Sequence, residues 1–196
     1  MIDDLKSRMG MSESQNIAVQ ILNEIQDVLD QVDPVEVERL VDELVSAEKV
    51  FFFAVGRVFL SLECLAKRLG HLGIDCQVVG SINEKPATPR DLLLVASGSG
   101  ESKLPVEIAR IAKSKGARLG IITSARSSTL KSMADFAVHL PCPTKNDVAA
   151  GVISIQPMSA LFDQSLHIFG DTVVILVQRR KGLKTEDLWQ YHANLE

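Results

Sequence analysis

Apolar positions recur at two different periods along this chain, and the change near residue 49 divides its architecture. Over "SESQNIAVQILNEIQDVLDQV" (12–32), Ile17, Ile21, Ile25, Val28, Leu29 and Val32 fall on one stripe at helical spacing. This predicts an amphipathic helix, with Ser12 or Ser14 available as its cap. Pro34, directly after Asp33, opens a second helix that "VEVERLVDELVSAE" continues. From Lys49 the apolar residues come in short unbroken runs, most closed by a turn former. They are "KVFFFAV" before Gly56, "DCQVV" before Gly80, "DLLLVAS" before Gly98, "ARLGIIT" before Ser124 and "DFAVHL" before Pro141. Unbroken runs of this length predict strands buried on both faces.

Helical patterns separate most of these runs: "VFLSLECLAKRLGHLG" (58–73), residues 103–115 and a short segment near 126–133. After Gly151 the chain returns to helix over 157–180 and again over 184–196. Strand and helix in alternation imply right-handed crossovers and an α/β fold. The expected form is a three-layer αβα sandwich around a five-stranded, doubly wound parallel sheet. The helix over 157–180 is apolar on more than one face, which predicts contact with a second subunit as well as with the sheet.

With 196 residues, 46% of them hydrophobic, the chain can bury one sizeable core. A formal net charge of −4 and scattered Lys and Arg argue against nucleic acid as a partner. No apolar run approaches the ~20 residues needed to span a bilayer, and the acidic start lacks the apolar core of a leader, so a cytoplasmic protein without a membrane partner is expected. Met9 and Met11 follow Met1 closely, and no argument is built on the first ten residues. Cys64, Cys76 and Cys142 are odd in number and lack a C-x-x-C, which fits a reducing compartment and buried, unreactive thiols. The histidines His71, His139, His167 and His192 show no metal-binding spacing.

The densest chemistry lies in "SGSGES", residues 97–102, between a buried strand and a helix. In an open parallel sheet the ligand crevice lies beyond the carboxyl ends of the strands. Gly98 and Gly100 allow close backbone approach, the following helix offers unpaired N–H groups, and Ser97, Ser99 and Ser102 add hydroxyls. Such a loop suits a phosphate monoester, although a serine-rich turn with Ser102 as helix cap reads equally well from spacing alone. The lysine is misplaced for a nucleoside-triphosphate loop, since Lys103 follows Ser102, and "AVGRVF" lacks the glycines of a dinucleotide site.

"ASGSGES" in this strand–helix context resembles the phosphosugar-binding loop of sugar isomerase (SIS) domains, usually S-x-S-G-E-T. Within that superfamily the chain is most similar to the 6-phospho-3-hexuloisomerases, through "AVGR", "AKRLGHLG", "TPRDLLLVASGSGES", "SIQPMSALFDQSLHIFGD" and "HANLE". The similarity runs from about Asn16 to Glu196. Residues 1–33 then form an N-terminal helical segment and 34–196 a SIS domain, within one globular unit.

The resemblance implies interconversion of 3-hexulose 6-phosphate and fructose 6-phosphate through an enediolate, as in ribulose monophosphate formaldehyde fixation, with no cofactor or metal. It also implies a homo-oligomer, dimer or tetramer, with sites near subunit boundaries. Carried over by residue, Ser97, Ser99 and Ser102 match the phosphate loop, with Gly98 and Gly100 between them. Asp163 in "LFDQ" stands where the family has the glutamate that acts as base. His71 matches a family histidine expected in ring opening or proton relay, reaching a neighbouring subunit's site. Gly56 and Arg57 match a substrate-binding "G-R-S-G". Gln156 and Gln164 are candidates for sugar hydroxyls, each equally readable as a solvated or subunit-contact residue, and His192 matches a tail histidine that completes a neighbouring site. His139 and His167 have no counterpart and are read as structural.

Val58 replaces a serine and Phe59 a glycine of that "G-R-S-G", Asp163 is one methylene shorter than glutamate, and Ser159 replaces the glycine of "QPMG". Phe59 would narrow the pocket, and would force the backbone to change if that glycine had a positive φ. Two function classes stay open: an isomerase, for this or another ketose phosphate, and a noncatalytic phosphosugar sensor.

Overall fold

The computed structural model describes residues 12–143 and 154–195; the start up to Met11 and the terminal Glu196 lie outside them. Ser12 caps helix α1 (Glu13–Leu29) in a reciprocal box with Gln15, and Asp33 accepts from the Val35 N–H to start α2 (Pro34–Ser46). Then follow β1 (Val50–Phe53), α3 (Arg57–His71), β2 (Cys76–Val78), β3 (Leu92–Ala96) and α4 (Lys103–Ser114). β4 (Arg118–Thr123), α5 (Thr129–Met133), β5 (Phe136–His139), α6 (Ala160–Arg180) and a 3-10 helix (Thr185–Tyr191) complete the order.

All strand pairs are parallel, in the order β2-β1-β3-β4-β5. The two-residue period of the strands splits their apolar side chains between two cores. Phe52, Leu92, Leu94, Ala96, Ile122 and Val138 meet α1, α2, α3 and α6 on one face. Phe51, Leu93, Val95, Leu119 and Ile121 meet α4 and Leu130 of α5 on the other. Ile25 and Val28 bring α1 into the first of these cores. Burial on both faces is why the strands read as unbroken apolar runs.

α6 corrects the expectation that no segment is long and apolar enough to cross a membrane: by length and composition it is. Its length of apolar sequence serves the core instead, with Leu161, Phe162, Leu166, Phe169, Val173 and Val177 buried. The expected helix start at 157 also shifts. Met158 takes φ 64, the one positive φ outside glycine among the described residues, so the chain turns sharply before α6 begins. Cys64 departs from the reading of buried thiols: Leu62, Leu65, Ala66 and Leu69 occupy the core side of α3, which leaves Cys64 exposed. Burial pushes the thiols of Cys76 up to about 12 and Cys142 up to about 11, so both are unreactive.

Candidate active site

β1 and β3 are neighbours whose chains leave in opposite directions, β1 into α3 on one face and β3 into α4 on the other. The crevice between them is the switch point of the sheet. One wall carries Gly56 and Arg57, the other residues 97–102. Gly56, at φ 63 and ψ −144, takes a conformation open to glycine, which lets the chain turn from β1 straight into α3.

Within residues 97–102 the hydroxyls first organise the loop itself. The Gly100 N–H donates to Ser97 Oγ (3.1 Å) and the Glu101 N–H to Ser99 Oγ (3.3 Å). Each serine oxygen is therefore an acceptor inside the loop and keeps its O–H for an outside partner. Ser102 occupies the N-cap position of α4, yet its hydroxyl makes no capping bond. The helix-cap reading thus holds for its backbone alone, and the hydroxyl stays available beside the α4 N-terminus. Gly100 is required twice over. It has φ +65, and a Cβ there would lie 2.1 Å from Ser128 Oγ.

That close approach is part of a joint with the β4–α5 connection. The Leu130 N–H donates to the Gly100 carbonyl (3.2 Å), and the Ser124 N–H to the Gly98 carbonyl (3.1 Å). The Glu101 carboxylate accepts from the Thr129 N–H and hydroxyl, both at 2.7 Å. These two bonds hold the Glu101 carboxyl below its ordinary value.

α6 enters the same crevice. Phe162 packs beside Gly98, where an added Cβ would lie 3.7 Å from its ring. The next residue, Asp163, is buried, with Oδ2 at 3.2 Å from Arg57 Nε, and the Ser61 hydroxyl donates to its carbonyl (2.9 Å). Burial raises the Asp163 carboxyl above its usual range, and the Arg57 guanidinium opposes that shift without cancelling it. Arg57, Ser61, Asp163, Gln164 and His167 share a cavity of about 350 Å³ with Ile25, Leu60 and Ile168.

Val58 and Phe59 do not disturb this arrangement. Both are half-buried against the core, and the Phe59 ring lies 5.7 Å from that of Phe53. Residue 59 lies in the first turn of α3 with no positive φ, so no backbone change accompanies the side chain.

Other candidates lie elsewhere. Gln156 is turned to α1, its side-chain N–H donating to Glu24 (3.0 Å), rather than to the cavity beside Asp163. Glu24 also accepts from the Ser154 hydroxyl (2.7 Å) and the Ile155 N–H (2.8 Å). Burial alone would raise its carboxyl, but these bonds outweigh that and hold it low. His71 ends α3, about 21 Å along the helix axis from Arg57, at the opposite edge of the sheet. There its ring lies 5.0 Å from that of His192, which in turn lies 5.3 Å from Trp189. His139 approaches the Ser124 carbonyl (3.0 Å) with Nε2.

Ser61 and His167 also line the cavity and Glu101 braces the loop, though the sequence reading gives none of them a place in the site. Helical spacing could have found two of them: His167 is four residues beyond Asp163 on α6, and Ser61 four beyond Arg57 on α3. The E of S-x-S-G-E-T marks Glu101 in the sequence, but not its partner, which is 28 residues away.

A family model described as SIS domain matches residues 43–168. The chain is 33% identical over 177 residues to the 3-hexulose-6-phosphate isomerase of Bacillus subtilis (strain 168), covering 90% of this chain and 96% of that protein. It is 36% identical over 188 residues to the protein of the same name from Mycobacterium gastri, covering 96% and 94%. Among solved structures, it is similar to a hypothetical protein from Methanococcus jannaschii with an inferred function of 3-hexulose-6-phosphate isomerase. There the TM-score is 0.79 and the identity 25%, covering 92% of this chain and 99% of that one.

Proposed function

We propose, from the premise that this chain belongs to the SIS-domain family, that it is a phosphosugar isomerase interconverting 3-hexulose 6-phosphate and fructose 6-phosphate. One observation carries the reading: a buried carboxylate, Asp163, directly follows Phe162, whose ring packs against Gly98 of a hydroxyl-lined loop suited to a phosphate. The phosphate would occupy residues 97–102, taking donors from Ser97, Ser99, Ser102 and the α4 N-terminus. Arg57 is one side of the crevice, and beyond the N–H that meets Asp163 its guanidinium keeps further donors for developing negative charge.

Asp163 then removes the proton on C2 of the 3-ketose. The C–H electrons form the C2–C3 double bond, and O3 takes a proton as the carbonyl opens to the enediol. Loss of the O2 proton forms the new carbonyl at C2, and Asp163 returns its proton to C3. No atom is gained or lost. His71 and His192 would serve a neighbouring subunit's site, with His71 assisting ring opening, in a homo-oligomer.

The test is solvent exchange of fructose 6-phosphate in deuterium oxide, followed by NMR. Protein-dependent loss of the C3 proton signal that disappears in Asp163→Asn is the expected result. Binding without exchange would replace this function by the sensor reading, which the Arg57–Asp163 ion pair also accommodates. Neither binding nor exchange would remove the hexulose assignment.

A further inference from the structure

Isomerisation moves two protons, one between carbons and one between oxygens, and a single carboxylate held by Arg57 accounts for the first. The second needs a group that can both donate to O3 and accept from O2. Within one subunit His71 lies at the far edge of the sheet from the phosphate loop, and the His139 ring is engaged by the Ser124 carbonyl. His167 is differently situated. It follows Asp163 by four residues on α6, about 6 Å along the axis, and lines the same cavity of about 350 Å³ with Asp163, Arg57, Ser61 and Gln164. The residue is exposed, and no hydrogen bond or ion pair engages its ring among the described residues.

We infer that His167, read from sequence as structural, is a second catalytic residue, which passes the O2 proton to O3 while Asp163 carries the carbon proton. An imidazole suits this task because one ring nitrogen can give its proton to O3 and then, unprotonated, accept the proton from O2, which restores the ring. In this reading the substrate extends from residues 97–102 past Asp163 into that cavity, which brings its carbonyl end toward the His167 turn of the helix. Gln164 and Ser61, in the same cavity, are placed to meet the remaining hydroxyls. This inference depends on the isomerase reading above.

Steady-state isomerisation by His167→Gln and His167→Ala tests it. Proton transfer by a placed side chain is worth roughly 10²- to 10⁴-fold in rate, so kcat should fall at least about 100-fold in both, with KM nearly unchanged. Imidazole added to the buffer should restore part of the turnover of His167→Ala and none of the turnover of Asp163→Asn. Unchanged kcat, a loss confined to KM, or no response to imidazole would overturn the role. Both variants should unfold at the wild-type temperature, because the side chain is exposed; a large drop would make His167 a packing residue and overturn it too. Wild-type protein without turnover would remove the isomerase reading itself, which is distinct from turnover that survives the loss of His167.

Discussion

A carboxylate proposed to accept a proton from carbon gains from surroundings that disfavour its charge, and Asp163 has them at a cost to the fold. Its carboxyl is raised by burial against the opposing pull of Arg57. The folded protein therefore binds this proton more tightly than the unfolded chain does. The resulting penalty is present in full above the folded-state value and vanishes as pH falls below the unfolded one. Asp163→Asn should lose about 10²- to 10⁴-fold in turnover. It should nevertheless be at least as thermally stable as wild type at neutral pH, with the difference narrowing toward the ordinary aspartate range. Unfolding temperatures across pH check this; a variant less stable at neutral pH would mean that the ion pair outweighs desolvation. Arg57 is largely exposed and can turn to water when its partner is removed. At this scale the three serines announce their chemistry, while Arg57, Asp163 and Gln164 were legible only through the family resemblance. Gln156 was not, because its place is decided by a hydrogen bond to Glu24, 132 residues away.

The proposed phosphate loop, residues 97–102, is an element joined to its neighbour. Glu101 holds the N–H and hydroxyl of Thr129, Leu130 donates to Gly100, and Ser128 fills the space that a side chain at residue 100 would need. Glu101→Ala would release this joint without removing any group assigned to contact the phosphate. We expect KM for the sugar phosphate to rise about tenfold, the equivalent of one ordinary hydrogen bond, with kcat little changed. Because the Glu101 carboxyl is held low, its contribution is present above the unfolded value and fades as pH falls through the folded one, so the wild-type KM should drift toward that of the variant in acid. Steady-state kinetics at two pH values decide it; an equal loss in kcat would place Glu101 in the chemistry instead. The elements themselves were readable from periodicity, including all five strands. The start of α6 and the end of the chain were not, because the φ of Met158 starts that helix at residue 160 and the last turn, Thr185–Tyr191, closes as 3-10 helix.

At the scale of the molecule, residues 97–102 and Asp163 stand at one edge of the sheet and His71 at the other, because α3 runs its full length between them. If His71 acts in a neighbouring subunit's site, Asp163→Asn and His71→Asn should each be inactive alone and regain activity when mixed. Random exchange gives half mixed pairs with one intact site in two, about a quarter of wild-type activity. Recovery after mixing and refolding measures this, and no recovery would confine each site to one chain. The sequence by itself determined the alternation of elements, the layers and the chemistry of residues 97–102, because periodicity and turn chemistry are local and repeat within a few residues. Tertiary structure alone decided two things: that Phe59 packs on Phe53 without disturbing the turn, and that Gln156 serves α1. Each depends on which side chain arrives opposite, and packing in three dimensions sets that meeting.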